Sequence, residues 1–175
     1  MIYRIALIGP ESTAKSTLSE KLAAHYHTVW VPEFARAFLN NLNRHYTKED
    51  VIEIIKGQIR SEENLLPKAN KLLFADTELI LHKVWLLDKY DSSPAWLDEK
   101  ISSSPYDLYL LTYPDLPFEE DPLRENPNRR EFFFEWYKSE LEDRKLNYRI
   151  ITGTGEERLR SAIKFTEEFL TGKRI

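Results

Sequence analysis

Five short apolar runs recur along the chain, and each is followed by a polar residue, a glycine or a proline. Residues that favour extended structure dominate these runs, which is typical of strands buried on both faces of a sheet. We therefore predict five β-strands, at residues 2–8, 28–31, 72–75, 106–111 and 148–151.

Amphipathic runs with helical spacing lie between these strands. Leu18, Leu22 and Tyr26 recur four apart on one face, and Thr47 is followed three residues later by Asp50 in a helix-capping pattern. Strands that alternate with helices are typical of right-handed crossovers. The predicted fold is α/β, a five-stranded parallel sheet with helices on both faces. The helices are predicted at residues 15–26, 33–42, 47 towards Pro67, 77–90 and 156–170.

The length of the chain predicts one domain. Its 175 residues suffice for one well-buried core and are too few for two full-sized domains, so we assign residues 1–175 to a single domain. Between the fourth and fifth strands, residues 113–130 are rich in proline and charge. Because strand sequence resumes after them, we predict a mobile surface segment that acts as a lid, here called the lid segment.

The composition excludes several classes of function. The chain has no cysteine, which excludes disulfides, thiolate metal sites and a cysteine nucleophile. A net charge of -4 argues against a broad nucleic-acid interface, but it is compatible with a small anionic ligand in a local basic pocket. No apolar run is long enough to cross a bilayer, so we expect a cytoplasmic protein without a membrane partner. The oligomeric state stays open.

The sequence GPESTAKST, at residues 9–17, follows the first strand and leads into the first helix. It nearly matches the phosphate-binding pattern G-x-x-x-x-G-K-[ST], in which backbone N–H groups surround phosphates, Lys15 reaches the terminal ones and Ser16 holds Mg²⁺. The alternative is a loop in which these two residues only begin a surface helix. The predicted nucleotide-binding residues are Gly9, Glu11, Ser12, Thr13, Ala14, Lys15, Ser16 and Thr17.

Ala14 occupies the position where the pattern requires glycine. If the backbone there has a positive φ, alanine costs about 1 kcal/mol or more. The sequence leaves three outcomes open: the loop tolerates the methyl group and binds nucleotide more weakly, binding is lost, or the alanine is an altered copy of a normal glycine.

Asp76 ends the apolar run KLLFAD. A carboxylate at the carboxyl end of a central strand is suited to hold the hydration shell of Mg²⁺ beside Ser16. Capping of the helix that follows is a compatible alternative. We therefore predict Ser16 and Asp76 as the metal-associated pair.

Glu33 follows the second strand, so its carboxylate should project from the same edge of the sheet as the loop. There it can take a proton from an acceptor hydroxyl or hold a sugar, with Arg36 one turn later stabilising charge or pairing with Glu33. The alternative is a first-turn glutamate favoured by the helix dipole.

Arg124 and Arg130 in the lid segment are candidates to stabilise charge on a transferring phosphoryl group. A solvated surface is the usual reading of such a run. The tryptophans, including Trp85, can stack on a base but more often belong to a core.

Six segments in order carry a resemblance to a known family: GPESTAKST, VPEFARAF, GQIR with Gln58, LFADTE, YDLYLLT and EDPLRENPNRR. The chain resembles the nicotinamide riboside kinase domain of NadR-type bacterial proteins, a branch of the P-loop kinases. The resemblance covers nearly the whole chain. It implies that Glu33, Arg36 and Gln58 form the acceptor side and that Asp121, Arg124 and Arg130 belong to the lid.

The resemblance also implies the chemistry: transfer of the γ-phosphoryl group of ATP, with Mg²⁺, to the 5′-hydroxyl of nicotinamide riboside to give nicotinamide mononucleotide. Under it we expect the kinase domain alone, without the adenylyltransferase domain of bifunctional members. Two positions depart from the family, Ala14 in the loop and Pro32 where members carry an aromatic beside the nicotinamide ring. A kinase for another nucleoside and a nucleotide-binding sensor or inactive protein are the alternatives.

Overall fold

A computed structural model describes residues 1–172 of the chain. Five strands form one sheet in the order β2-β3-β1-β4-β5, and every neighbouring pair is parallel. The strands are β1 Tyr3–Ile8, β2 Trp30–Val31, β3 Leu72–Asp76, β4 Leu108–Thr112 and β5 Tyr148–Ile151. The helices are α1 Lys15–His25, α2 Phe34–Asn40, α3 Lys48–Leu65, α4 Leu79–Tyr90, α5 Ala95–Ser103, α6 Arg130–Asp143 and α7 Gly155–Leu170.

The predicted α/β class and five-stranded parallel sheet are confirmed. Side chains alternate across β1, so that Ile5 and Leu7 face α1 and α7, whereas Ala6 and Ile8 face a second core built with α3 to α6. Because both faces of the sheet are covered, the strands carry almost unbroken apolar sequence.

Three details differ from the sequence prediction. Strand β2 contains only Trp30 and Val31, because Pro32 follows at once and cannot donate a sheet hydrogen bond. Helix α2 ends at Asn40, before the predicted end. Helices α5 and α6 were not predicted, and α6 begins at Arg130, the last residue of the lid segment.

The order of the strands places β1 between β3 and β4, and the chain leaves the carboxyl end of β1 at the point where the sheet reverses its winding direction. Ligands of open α/β sheets bind in the crevice at such a point. The loop of residues 9–14 occupies this crevice. None of the helices within residues 1–172 combines the length and apolar character needed to cross a membrane.

Candidate active site

The loop after β1 is fixed by contacts with the end of β4. Gly9 has φ +153°, and a Cβ built on it would lie 2.1 Å from Thr112 Oγ1. Only glycine fits this approach without displacing the strand. The Thr13 and Thr112 hydroxyls are 2.7 Å apart, and Thr13 Oγ1 also donates to Pro10 O at 2.8 Å. The loop is therefore closed on itself before helix α1 begins.

Ala14 adopts the left-handed conformation, with φ 63° and ψ 27°. It is the residue immediately before α1, and its carbonyl accepts the backbone N–H of Leu18 at 2.9 Å. The position thus has the positive φ that favours glycine, and alanine occupies it at a cost of about 1 kcal/mol. The loop keeps this backbone conformation despite the methyl group.

Lys15 lies inside the loop, where its Nζ donates to Pro10 O at 2.8 Å. Burial lowers the pKa of this ammonium group, while the carboxylates of Asp76 and Glu33 act in the opposite direction. The Pro10 carbonyl therefore holds the lysine within the loop, and the charges of two nearby carboxylates favour its protonated form.

Ser16 and Asp76 meet where α1 begins and β3 ends. Ser16 Oγ donates to Asp76 Oδ2 at 2.5 Å, and Asp76 is 1% exposed. Burial raises the pKa of Asp76, an effect opposed by the charge of Lys15 and the Ser16 hydrogen bond. Within residues 1–172, Asp76 Oδ1 has no hydrogen-bond partner.

These atoms fit a magnesium ion bound together with a nucleotide. The described residues contain no group of three His, Asp or Glu side chains placed to hold a metal by themselves. Mg²⁺ in phosphate-binding proteins is held by few protein oxygens and completes its shell with phosphate and water. The Ser16 hydroxyl and the unpaired Asp76 oxygen are such a donor set.

Glu33 is the N-cap residue of α2, with its side chain 30% exposed. Burial raises the pKa of this carboxyl group, and the nearby charge of Asp76 raises it further, against Lys15 and Arg36. Arg36 Nε lies 4.0 Å from Glu33 Oε2, while Arg36 Nη1 donates to Asp121 Oδ2 at 2.8 Å. Arg36 thus connects Glu33, at the start of α2, to the lid segment.

Gln58 has a different place from the one the resemblance implied. It is 2% exposed, and it does not line the cavity. Its Oε1 accepts the N–H of Phe34 at 2.8 Å, and its Nε2 approaches the carbonyls of Asp76 and Thr77, both at 3.5 Å. Gln58 therefore connects the start of α2 to the end of β3, the two segments that contain Glu33 and Asp76. Contact with a substrate stays a prediction.

The lid segment lies on the loop. Arg130 Nη1 donates to Leu116 O at 2.8 Å and is 3.4 Å from Ser12 O, and Arg124 Nη1 donates to Glu119 O at 2.7 Å. Both arginines line the cavity. Both guanidinium groups donate mainly to carbonyls of their own segment. These contacts hold their positive charge near the phosphate loop.

One cavity of about 590 Å³ brings most of the sequence-predicted residues together. The loop, Glu33, Arg36, Arg124 and Arg130 line it, and Asp76 lies beneath Ser16. The sequence did not predict the apolar and aromatic part of the lining, here called the aromatic wall. Tyr46 lies in an irregular loop that gave no pattern, and Trp85 was interpreted as core because it recurs at helical spacing. The wall consists of Leu39, Leu42, Tyr46, Leu81, Trp85, Phe133 and Tyr137.

The fold and the loop define a P-loop α/β protein. A model of the AAA domain family matches residues 4–158, and the chain belongs to this family. The trifunctional NAD biosynthesis/regulator protein NadR of Escherichia coli K12 is 26% identical over 140 residues, which are 75% of this chain and 34% of that protein. The chain thus spans about a third of the length of this relative.

Solved structures of other proteins share the fold of this chain. A NadR protein in complex with NR superposes with a TM-score of 0.82 at 22% identity, over 96% of this chain and 50% of the other. A NadR protein in complex with NAD and AMP-PNP gives 0.76 at 23% identity, over 99% and 51%. Thymidylate kinase from Ehrlichia chaffeensis gives 0.62 at 11% identity, over 94% and 98%. The predicted resemblance to NadR and the P-loop kinase fold are confirmed.

Proposed function

We propose that this chain is an ATP-dependent kinase that phosphorylates the 5′-hydroxyl of nicotinamide riboside to give nicotinamide mononucleotide. One observation carries the proposal: Lys15, the Ser16–Asp76 pair and Glu33 meet at a cavity whose lining also includes apolar and aromatic side chains. The NadR relatives and the NadR complex with NR support this choice of acceptor.

The nucleotide side of the proposal assigns the triphosphate to residues 9–17. The backbone N–H groups of the loop and the Lys15 ammonium group bind the phosphates of ATP. The Ser16 hydroxyl and the Asp76 carboxylate would hold Mg²⁺, which would supply positive charge to the phosphates of the nucleotide. Arg124 and Arg130 provide further positive charge where negative charge spreads over the transferring phosphoryl group.

The acceptor side assigns proton removal to Glu33. The 5′-oxygen forms a bond to the γ-phosphorus, the bond from that phosphorus to the β,γ-bridging oxygen breaks, and Glu33 receives the hydroxyl proton as ADP leaves. The raised pKa of Glu33 suits a group that must accept a proton near neutral pH. Arg36 keeps Glu33 oriented and contacts Asp121 of the lid segment.

Two alternatives predict different measurements. Deoxyadenosine kinase from M. mycoides also shares the fold, with a TM-score of 0.60, so a kinase for another nucleoside is the first. The second is a nucleotide-binding sensor or an inactive protein, which the alanine at position 14 suggests.

An ATP-consumption assay with nicotinamide riboside and the common nucleosides separates these alternatives. We expect turnover to be fastest with nicotinamide riboside and to fall at least about a hundredfold in Lys15→Ala. Lys21→Ala is the matched control, because Lys21 lies in the same helix and only pairs with Glu156 on the surface. Equal rates in Lys15→Ala and wild type would contradict the proposed site, and nucleotide binding without turnover would favour a sensor.

A further inference from the structure

Glu125 of the lid segment contacts the aromatic wall and the phosphate loop at once. Its side-chain Oε2 accepts from Tyr46 Oη at 3.0 Å and lies 2.7 Å from Lys89 Nζ. Its backbone N–H donates to Glu11 Oε1 at 3.0 Å. The side chain of Glu125 is therefore held by the aromatic wall, and its main chain is held by the phosphate loop.

Within the aromatic wall, Trp85 contacts Tyr46. Trp85 Nε1 donates to Tyr46 Oη at 3.2 Å, and the two rings pack edge to face with their centroids 5.2 Å apart. Tyr46 Oη in turn donates to Glu125, so the orientation of the tyrosine ring determines where the glutamate can be held. A ligand that packs against this wall restricts the same ring.

The phosphate end is equally well defined. Glu11 uses both of its carboxylate oxygens, because Oε1 accepts from Glu125 N and Oε2 from Asn126 N, each at 3.0 Å. This carboxylate in the middle of the phosphate loop thus turns towards the lid segment and accepts hydrogen bonds from two of its backbone N–H groups. A displacement of the Glu125 main chain therefore changes its hydrogen bond to Glu11 of the loop.

We propose that Glu125 is a positioning residue that couples acceptor binding to nucleotide binding. The inference rests on the proposed function, because it takes the aromatic wall as part of the acceptor site and residues 9–17 as the nucleotide site. An acceptor that fixes Tyr46 holds Glu125, Glu125 holds Glu11, and the ordered lid segment and loop then bind the nucleotide at a smaller entropic cost.

The coupling is measured by titrating AMP-PNP with Mg²⁺ in the absence and presence of saturating nicotinamide riboside. In the wild type we expect the riboside to tighten AMP-PNP binding about tenfold. In Glu125→Ala this factor should fall to within about twofold of one, and in Tyr46→Phe, which keeps the ring, to about threefold or less. By reciprocity AMP-PNP must tighten riboside binding by the same factor in each protein.

Glu120→Ala is the matched control. Glu120 is an exposed glutamate of the same segment, and within residues 1–172 its side chain makes neither a hydrogen bond nor an ion pair. This variant should keep the wild-type factor. In a wild-type protein that binds the riboside, a factor near one, or an unchanged factor in both Glu125→Ala and Tyr46→Phe, would overturn the proposal.

Hydrogen exchange tests the same connection without a riboside. The N–H groups of Glu125 and Asn126 are protected by Glu11, and we expect their peptide to exchange at least about fivefold faster in Tyr46→Phe than in wild type or Glu120→Ala. Equal exchange would overturn the connection. A wild-type protein that fails to bind the riboside would contradict only the proposed function, since this exchange experiment still decides the role of Glu125.

Discussion

Ala14 shows how a phosphate loop can retain its shape without its usual glycine. The residue sits at φ 63°, where a methyl group is strained but meets the geometry that the start of α1 requires. Because the loop already has this backbone, the substitution should affect stability more than nucleotide binding.

The first prediction concerns this strain. Ala14→Gly should raise the free energy of unfolding by about 0.5–1 kcal/mol and change the AMP-PNP dissociation constant by less than about fivefold. Ala24→Gly, at an exposed position of α1, should instead lower the free energy of unfolding by about 1 kcal/mol. Urea denaturation and calorimetry measure both. AMP-PNP binding that appears only in Ala14→Gly would contradict this account and support a disabled enzyme.

The second prediction concerns Gly9. A side chain there meets Thr112 Oγ1 at 2.1 Å and the Thr112 carbonyl at 2.7 Å, so Gly9→Ala should lower the free energy of unfolding by about 3 kcal/mol. Gly155→Ala is the matched control, since Gly155 also has a positive φ, +49°, but no atom within 4 Å. It should cost about 1 kcal/mol. Equal losses in urea denaturation would show that close approach is not what requires glycine at position 9.

At the scale of elements, helix α4 begins with two buried titratable groups. Glu78 is its N-cap residue and accepts the N–H groups of Ile80 and Leu81, and burial raises the pKa of its carboxyl group to about 7. One turn later, burial lowers the pKa of His82 to about 4, and its Nδ1 lies 2.9 Å from the Glu78 carbonyl oxygen. The two groups therefore titrate with opposite effects on stability.

The third prediction isolates the histidine. Because its pKa in the folded protein is lower than the 6.5 of an unfolded chain, His82 contributes stability that is present above pH 6.5 and lost as the pH falls to about 4. The loss amounts to about 3 kcal/mol. His82→Leu should be less stable than wild type at pH 7.5, and this difference should shrink by about 3 kcal/mol by pH 4 because the Glu78 contribution cancels.

The control for this pH series is His25→Leu, at an exposed position of α1. It should follow the wild-type unfolding curve within about 0.5 kcal/mol from pH 4 to 7.5. A constant difference between His82→Leu and wild type over the same range would contradict a buried neutral imidazole.

The elements also show what the sequence could predict. Buried parallel strands carry continuous apolar runs, so β1, β3 and β4 were visible, and the phosphate loop follows from its position between β1 and α1. Helix α6 was missed because its aromatic and polar residues follow a segment dominated by proline and charge. The short helix α5 lies between α4 and β4, where no element was predicted. The role of Gln58 depends on Phe34 and Asp76, which are distant in sequence and meet only in the folded chain.

At the scale of the whole molecule, the cavity is assembled from parts that are far apart in the chain. The loop follows β1, Glu33 follows β2, Asp76 ends β3, and the lid segment follows β4. A parallel sheet brings all four to its carboxyl edge, so a ligand that spans the cavity contacts elements from most of the molecule. Ligand binding should therefore stabilise the fold as a unit.

The fourth prediction follows from this arrangement. AMP-PNP with Mg²⁺ at about a hundred times its dissociation constant should stabilise the folded chain by about 2.7 kcal/mol and raise Tm by about 5–10 °C. At the same ligand concentration Lys15→Ala should retain at most about 2 °C of this shift, because the terminal phosphates lose their cation. Lys21→Ala should keep the whole shift.

Replacing Mg²⁺ with EDTA in the wild type should reduce the shift as well, because the buried Asp76 carboxylate then faces the nucleotide phosphates without a cation between them. Asp76→Asn removes that repulsion together with the metal-binding oxygen. Its shift should consequently be small and the same with Mg²⁺ or EDTA. A shift in Asp76→Asn that still depends on Mg²⁺ would place the ion elsewhere and separate magnesium binding from the Ser16–Asp76 pair.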